Sequence, residues 1–110
     1  METEQKEVVR STFYLQDIVD IFDYGSATFG ERAGLIFYED LKMTVRSLEK
    51  QYLLHPECRH LETKEKIYRN IIIGSYIIIY RITLTRIEVL RAFHGSRSPK
   101  TIKSSKKIVI

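Results

Sequence analysis

Apolar positions change period once along this chain, from helical spacing in the first half to strand-like runs in the second. Leu15, Ile18, Ile21, Phe22 and Phe29 recur at helical spacing while Asp17, Asp20 and Asp23 point elsewhere, and Ser11 or Thr12 can cap the helix they predict. Gly30 suits a left-handed end to that helix, and Glu31 opens the next with its charge near the positive dipole end. The second helix is predicted from about Glu31 to Gln51, with Ala33, Phe37, Leu41, Thr44 and Leu48 on one stripe and Ile36, Met43 and Val45 broadening it. His55-Pro56 stops it.

Beyond Ile67 the residues become β-branched and aromatic. Ile67 to Ile73 and Tyr76 to Ile82 flank Gly74-Ser75, the signal of a type II′ hairpin. A second two-residue turn at Leu84-Thr85 leads into Arg86 to Phe93. With Lys6 to Arg10 as a short first strand, the fold class is α+β: a helical hairpin packed on an antiparallel β-sheet, in the order β-α-α-β-β-β. If both turns are two-residue, Arg69 faces Tyr80, Tyr80 faces Val89 and Ile78 faces Arg91, so Arg69, Tyr80 and Arg91 share one face. Tyr68, Arg81 and Glu88 share the other, Arg81 and Glu88 as a cross-strand ion pair. A single bulge would move every side chain beyond it to the opposite face.

The length of 110 residues fits one domain that buries roughly two-thirds of its unfolded surface. The expected boundaries are 1–97 for that domain and 98–110 for a flexible basic tail. The polar start, Met1 to Glu7, does not read as a signal peptide, and apolar runs of three or four residues are too short to span a membrane. Cys58 is the only cysteine, which excludes an intrachain disulfide and suits a cytoplasmic protein; its expected place is a loop or the core. Charge is divided: residues 1–55 hold six Lys and Arg against ten Asp and Glu, residues 56–110 twelve against four. An acidic partner is therefore expected at the C-terminal half, either nucleic acid or an acidic protein segment.

Four groups of residues resemble the RelE/ParE toxins of type II toxin-antitoxin (plasmid stabilisation) systems, and more closely the ParE branch. They are Asp17-Ile18 with Asp23-Tyr24 and Phe29-Gly30; Leu48, Pro56 and Arg59; Arg69, Gly74 and Tyr80-Arg81; and His94-Gly95-Ser96-Arg97. The chain departs from the pattern at Cys58, where the family has Gly, and at Thr12-Phe13-Tyr14, where it tends to have Pro and Ala.

The resemblance implies a toxin that inhibits DNA gyrase by protein binding and is neutralised by a ParD-like antitoxin. The alternatives are a ribosome-dependent messenger RNA endoribonuclease of the RelE type, or an inactive homologue that only binds its antitoxin. A metal-independent ribonuclease would use His94, Arg97 and Arg69, with His94 as base or acid and the arginines as cations for the phosphate. The enzymatic branch also carries a Tyr or His in its C-terminal tail, and nothing after Arg97 is Tyr, His, Asp or Glu. No metal-ligand spacing or glycine-rich phosphate loop is present, so neither a metal nor a cofactor is expected. Arg69, Arg91 and Arg97 are the expected target-contacting or antitoxin-contacting cations. Phe13, Tyr14, Phe37 and Tyr38 are expected to line a helical groove that receives the antitoxin, or to drive homodimerisation without it.

Overall fold

The structure is a computed structural model that describes residues 4–110, and the polar opening Met1 to Thr3 lies outside the described residues. Strand β1 (Glu7–Arg10) leads into helices α1 (Thr12–Phe29) and α2 (Glu31–Gln51), then strands β2 (Tyr68–Ile73), β3 (Tyr76–Ile82) and β4 (Arg86–His94). A short helix α3 (Pro99–Lys103) and a 3-10 turn (Ser104–Lys107) follow. The expected β-α-α-β-β-β order is present, with α3 added to it. In the sheet the strands run β1-β4-β3-β2. The β2-β3 and β3-β4 pairs are antiparallel, but β1 lies parallel to β4, so the sheet is mixed where an antiparallel one was expected. The physical reason is the long crossover between β1 and β4, which contains both helices and lets the two strands run the same way.

Gly74 has φ 58° and Ser75 does not share its positive φ, as a type II′ turn requires. The two long helices are joined by Gly30 alone, whose φ of 99° and ψ of 152° are open only to glycine. Their crossing is close at Gly34: a Cβ there would lie 2.9 Å from the Ser26 backbone nitrogen.

Two cores lie on opposite faces of the sheet. Tyr14, Ile18 and Ile21 of α1 and Leu41, Val45 and Leu48 of α2 cover Ile71, Ile78, Tyr80, Ile87, Val89 and Ala92. Here Tyr80 is fully buried and donates its hydroxyl to the Tyr52 carbonyl at 2.6 Å. The stripes expected of the helices are narrower than their sequences suggested, because Leu15, Phe29, Ile36 and Met43 face outward. On the second face Tyr68, Ile79, Leu90 and Phe93 pack against Cys58, Leu61, Ile102 and Ile108. Burial pushes the Cys58 thiol above its ordinary range, against backbone hydrogen bonds that lower it, and so makes it less reactive.

Residues 98–110, expected as a flexible basic tail, contribute Ile102 and Ile108 to that second core. From Thr101 to Ile110 only every third residue is buried, Ile102, Ser105 and Ile108, and the lysines between them point outward. Lysine content hid the three-residue period. The tail is also held by hydrogen bonds: Arg81 Nη2 donates to the Ile108 carbonyl at 2.8 Å and Arg86 Nη2 to the Ile110 carbonyl at 3.0 Å. Both arginines bind Glu88 at 2.7 Å, beneath the tail. The expected Arg81–Glu88 ion pair is thus present and largely buried. Burial alone would raise the Glu88 carboxyl, but the hydrogen bonds and charges of Arg81 and Arg86 hold it below the ordinary 4.5.

A carboxylate depressed in the folded state contributes stability above its unfolded pKa, and that contribution is lost as pH falls through the folded value. Glu88→Gln is therefore expected to lower the melting temperature at neutral pH by about 5 °C or more, with the gap to wild type shrinking between about pH 5 and pH 3. A pH series of thermal melts checks this; a gap constant with pH would refute the Glu88 assignment. Gly34→Ala forces α1 and α2 apart and is expected to destabilise by about 1–3 kcal/mol in urea unfolding.

Candidate functional site

The first site is built where β1 ends and α1 begins. Tyr80 pairs with Val89, yet Ile79 pairs with Arg91, so Leu90 is an extra residue in β4, a β-bulge. Ser11 docks on it, donating its backbone N–H to the Val89 carbonyl at 2.9 Å and its hydroxyl to the Leu90 carbonyl at 2.5 Å. The same hydroxyl oxygen accepts the Tyr14 N–H at 2.9 Å and caps α1. One turn further on, Asp17 takes over the edge that β1 has left. It accepts the Ala92 N–H at 2.9 Å and a two-point contact from Arg91, at 2.7 Å from Nε and 2.9 Å from Nη2. The Arg91 guanidinium is flanked by the rings of Phe93 and Phe13, 4.5 and 5.6 Å from their centroids.

The bulge overturns the expected Ile78–Arg91 pairing: Ile78 pairs with Ala92. Arg69, Tyr80 and Arg91 do not form one cationic face. Arg69 lies on the outer strand β2 and donates to the carbonyls of Leu53, His55 and Lys66, at 3.1, 2.9 and 3.2 Å, which pins the chain after α2 to the sheet. His55, on that segment, stacks edge-on against Tyr80, and burial followed by the Arg69 charge lowers its pKa.

The His94-Gly95-Ser96-Arg97 segment forms a tight turn closed by the Arg97 N–H on the His94 carbonyl at 3.0 Å. The Ser96 N–H points at His94 Nδ1, 3.2 Å away, and the Ser96 hydroxyl lies 2.7 Å from the same atom. A backbone N–H can only donate, so in this contact Nδ1 is the acceptor, which leaves Nε2 as the ring's N–H donor. The ring also packs edge-on against Tyr76, and Gly95 donates to the Ser75 carbonyl at 2.7 Å, which docks this turn on the β2-β3 turn. Among the described residues the Arg97 guanidinium has no hydrogen-bond partner, and it is exposed.

His94 and Arg97 are therefore adjacent, but Arg69 does not join them. Arg69 shares a rung with Tyr80, His94 with Tyr76, and four rungs of strand separate these by roughly 13 Å. Beside His94 is an apolar cleft of about 350 Å³, bounded by Tyr24, Phe29, Phe37 and Tyr76. The expected aromatic groove is divided. Tyr14 is 1% exposed and belongs to the core, its hydroxyl pKa pushed up to about 12 by burial. Phe13 is 54% exposed, and Phe37 and Tyr38 are half-buried. Residues the helical pattern did not assign to a surface add to it, with Phe29 71% and Met43 68% exposed and Leu15, Val19 and Ile36 about half so. Asp17 was also missed as a contact residue, although an acid directly before a core isoleucine was the available signal. Among the described residues no three His, Cys, Asp or Glu side chains converge as a metal would need.

A capped helical hairpin over a β1-β4-β3-β2 sheet, ending in a His-Gly-Ser-Arg turn, is the arrangement that the likeness to ParE toxins implies. The family described as the ParE toxin of the type II toxin-antitoxin system, parDE, matches residues 9–99, and the chain belongs to that family. A chain from the chromosomal ParDE toxin-antitoxin system of P. aeruginosa has the same fold, with a TM-score of 0.69 and 16% identity over 84% of this chain and 98% of that one. The toxin-antitoxin complex RelBE2 from Mycobacterium tuberculosis aligns with a TM-score of 0.49 and 20% identity, over 82% and 98%. No curated protein sequence matches the chain. Among the described residues no helix is long and apolar enough to cross a membrane.

Removing Arg91 leaves Asp17 with one hydrogen bond and a partly buried charge, whereas the Arg97 guanidinium has no hydrogen-bond partner among the described residues. Arg91→Ala is expected to destabilise by about 1.5–3 kcal/mol and Arg97→Ala by less than about 0.5 kcal/mol, measured by urea unfolding. Equal losses would contradict the structural role of Arg91.

Proposed function

We propose that this ParE-family toxin acts by binding a protein target, DNA gyrase, and is silenced by an antitoxin that covers the exposed apolar face of the α1-α2 hairpin. The observation that carries the protein-binding reading is the place of Arg69. A ribonuclease built on His94, Arg97 and Arg69 needs the three around one phosphate, and Arg69 is held by three carbonyls four rungs away. His94 and Arg97 alone offer one imidazole and one cation, too few for a base, an acid and charge neutralisation together. Gyrase as the protein follows from the family likeness.

The ribonuclease reading has one specific observation in its favour, the exposed pair of His94 and Arg97 on one hydrogen-bonded turn. For the antitoxin, Leu15, Val19, Phe29, Ile36 and Met43 present more apolar surface than a hairpin packed only on its own sheet requires. Such a face suits an amphipathic helix or strap. Tyr14 has no part in it.

Purified toxin added to gyrase and a relaxed plasmid is expected to block supercoiling and accumulate gyrase-dependent linear DNA. Intact supercoiling together with discrete transcript cleavage in a translating extract, lost in His94→Ala, would transfer the assignment to the ribonuclease. Phe13→Glu and Phe29→Glu are expected to weaken the complex with the antitoxin of the neighbouring reading frame tenfold or more, by calorimetric titration. An unchanged affinity would place the antitoxin elsewhere.

A further inference from the structure

The packed tail creates a surface that neither the toxin nor the antitoxin reading uses. Lys100, Lys103 and Lys106 follow one another at intervals of three, with Lys107 beside them, and all four are exposed. Because Ile102, Ser105 and Ile108 are buried with the same interval, the lysines form a row along the outer side of the α3 and 3-10 segment. The row is fixed from beneath by the Arg81 and Arg86 contacts to the Ile108 and Ile110 carbonyls. At its flank Lys103 and Lys106 border a hollow of about 190 Å³ with His60, Thr63 and Glu62, the last being the one acid there. From residue 89 to the end of the chain there is no Asp or Glu. The ridge also lies on the sheet face opposite the helical hairpin, where the acids of the first half are concentrated.

We propose that this ridge binds the phosphate backbone of a nucleic-acid duplex. Regularly spaced cations held in advance on a rigid segment match a regularly charged polymer, and ordering them has already been accomplished by folding. A duplex is favoured over a single strand because the row carries no exposed aromatic ring on which unpaired bases would stack; Tyr68, the aromatic residue at the hollow, is 5% exposed. The row holds no Arg, Asn or Gln with the planar fork that reads base edges, and its lysines meet phosphates as point charges, so binding is independent of sequence. An acidic protein segment is less well matched, since the exposed apolar side chains nearby, Val109 and Phe13, lie at the end of the row beside Lys107 and do not interrupt its lysines. The inference does not depend on gyrase being the target.

The test is fluorescence anisotropy of the whole purified chain with labelled duplexes of about 20 base pairs, in DNA and RNA arms, at several salt concentrations. Four phosphate contacts predict micromolar binding at low salt and a slope of log affinity against log salt of about −3 to −4. Replacing Lys103, Lys106 and Lys107 together by Gln is expected to reduce that slope to about −1 and the low-salt affinity at least tenfold, with the thermal melt unchanged. Tighter binding in the DNA or the RNA arm identifies the source of the backbone, and either supports the ridge. Absence of binding at low salt, a slope that the triple replacement leaves unaltered, or equal affinity for a single-stranded oligonucleotide would overturn the proposal. So would displacement of the duplex by an equal charge concentration of polyglutamate, which would assign the ridge to acidic protein.

Discussion

The extra residue in β4 at Leu90 is the constraint on which the rest of the structure depends. Without it β4 would keep strict alternation, and Ala92 and Phe93 would exchange faces. With it Ala92 closes the helix-side core, Leu90 and Phe93 both serve the tail-side core, and Arg91 is delivered to the open end of the strand. The bulge would leave carbonyls of β4 unpaired, and a buried unpaired carbonyl is costly. Ser11 meets that need with one backbone and one side-chain donor, and Asp17 supplies an acceptor for the Ala92 N–H. Helix α1 is therefore oriented by polar contacts to the irregular part of the sheet, and its apolar face is oriented with it.

Both faces of the central strands are covered, so the charged groups between them, Glu88 above all, lie out of water. Ionic groups survive burial only when paired and hydrogen-bonded. Glu88 meets this condition through two arginines, and those arginines use their remaining donors to hold carbonyls of the tail. The tail is thus tied to the sheet through a polar network as well as through Ile102 and Ile108. A tail so bound presents its lysines in a fixed direction, which a disordered segment of the same composition would not.

Most of the strand architecture was legible because each strand carried its own signal. Gly74-Ser75 set one turn, and the Tyr68, Arg81 and Glu88 row was read from residue alternation and stands in the structure. The parallel β1 was not legible, since four residues fix no direction and the pairing is decided by what lies between the strands. Nor was the bulge, which leaves no mark in Val89-Leu90-Arg91 beyond ordinary strand residues. The candidate site was affected most: Arg69 and Arg91 were expected to contact a target or antitoxin, and each has a partner within the chain, carbonyls for one and Asp17 for the other. The packing of the tail was not legible because lysine dominates its composition. Its buried positions, Ile102, Ser105 and Ile108, recur at every third residue, a spacing that belongs to a 3-10 turn rather than to the longer helices.

The distribution of unused groups follows from how the others are used. Cations in the sheet that have partners, Arg69, Arg81, Arg86 and Arg91, hold the segments that would otherwise fray, at the end of α2, along the tail and at the start of α1. Arg97 and the tail lysines have no such task, and neither do the outward apolar residues of the hairpin. Leaving apolar side chains exposed on α1 and α2 gives the isolated chain no stability, and row-like cations on the far face add mutual repulsion. Surfaces with these properties are explained by what they meet outside the chain, and their opposite chemistry on opposite faces means that an apolar partner on the helices leaves the lysine ridge open.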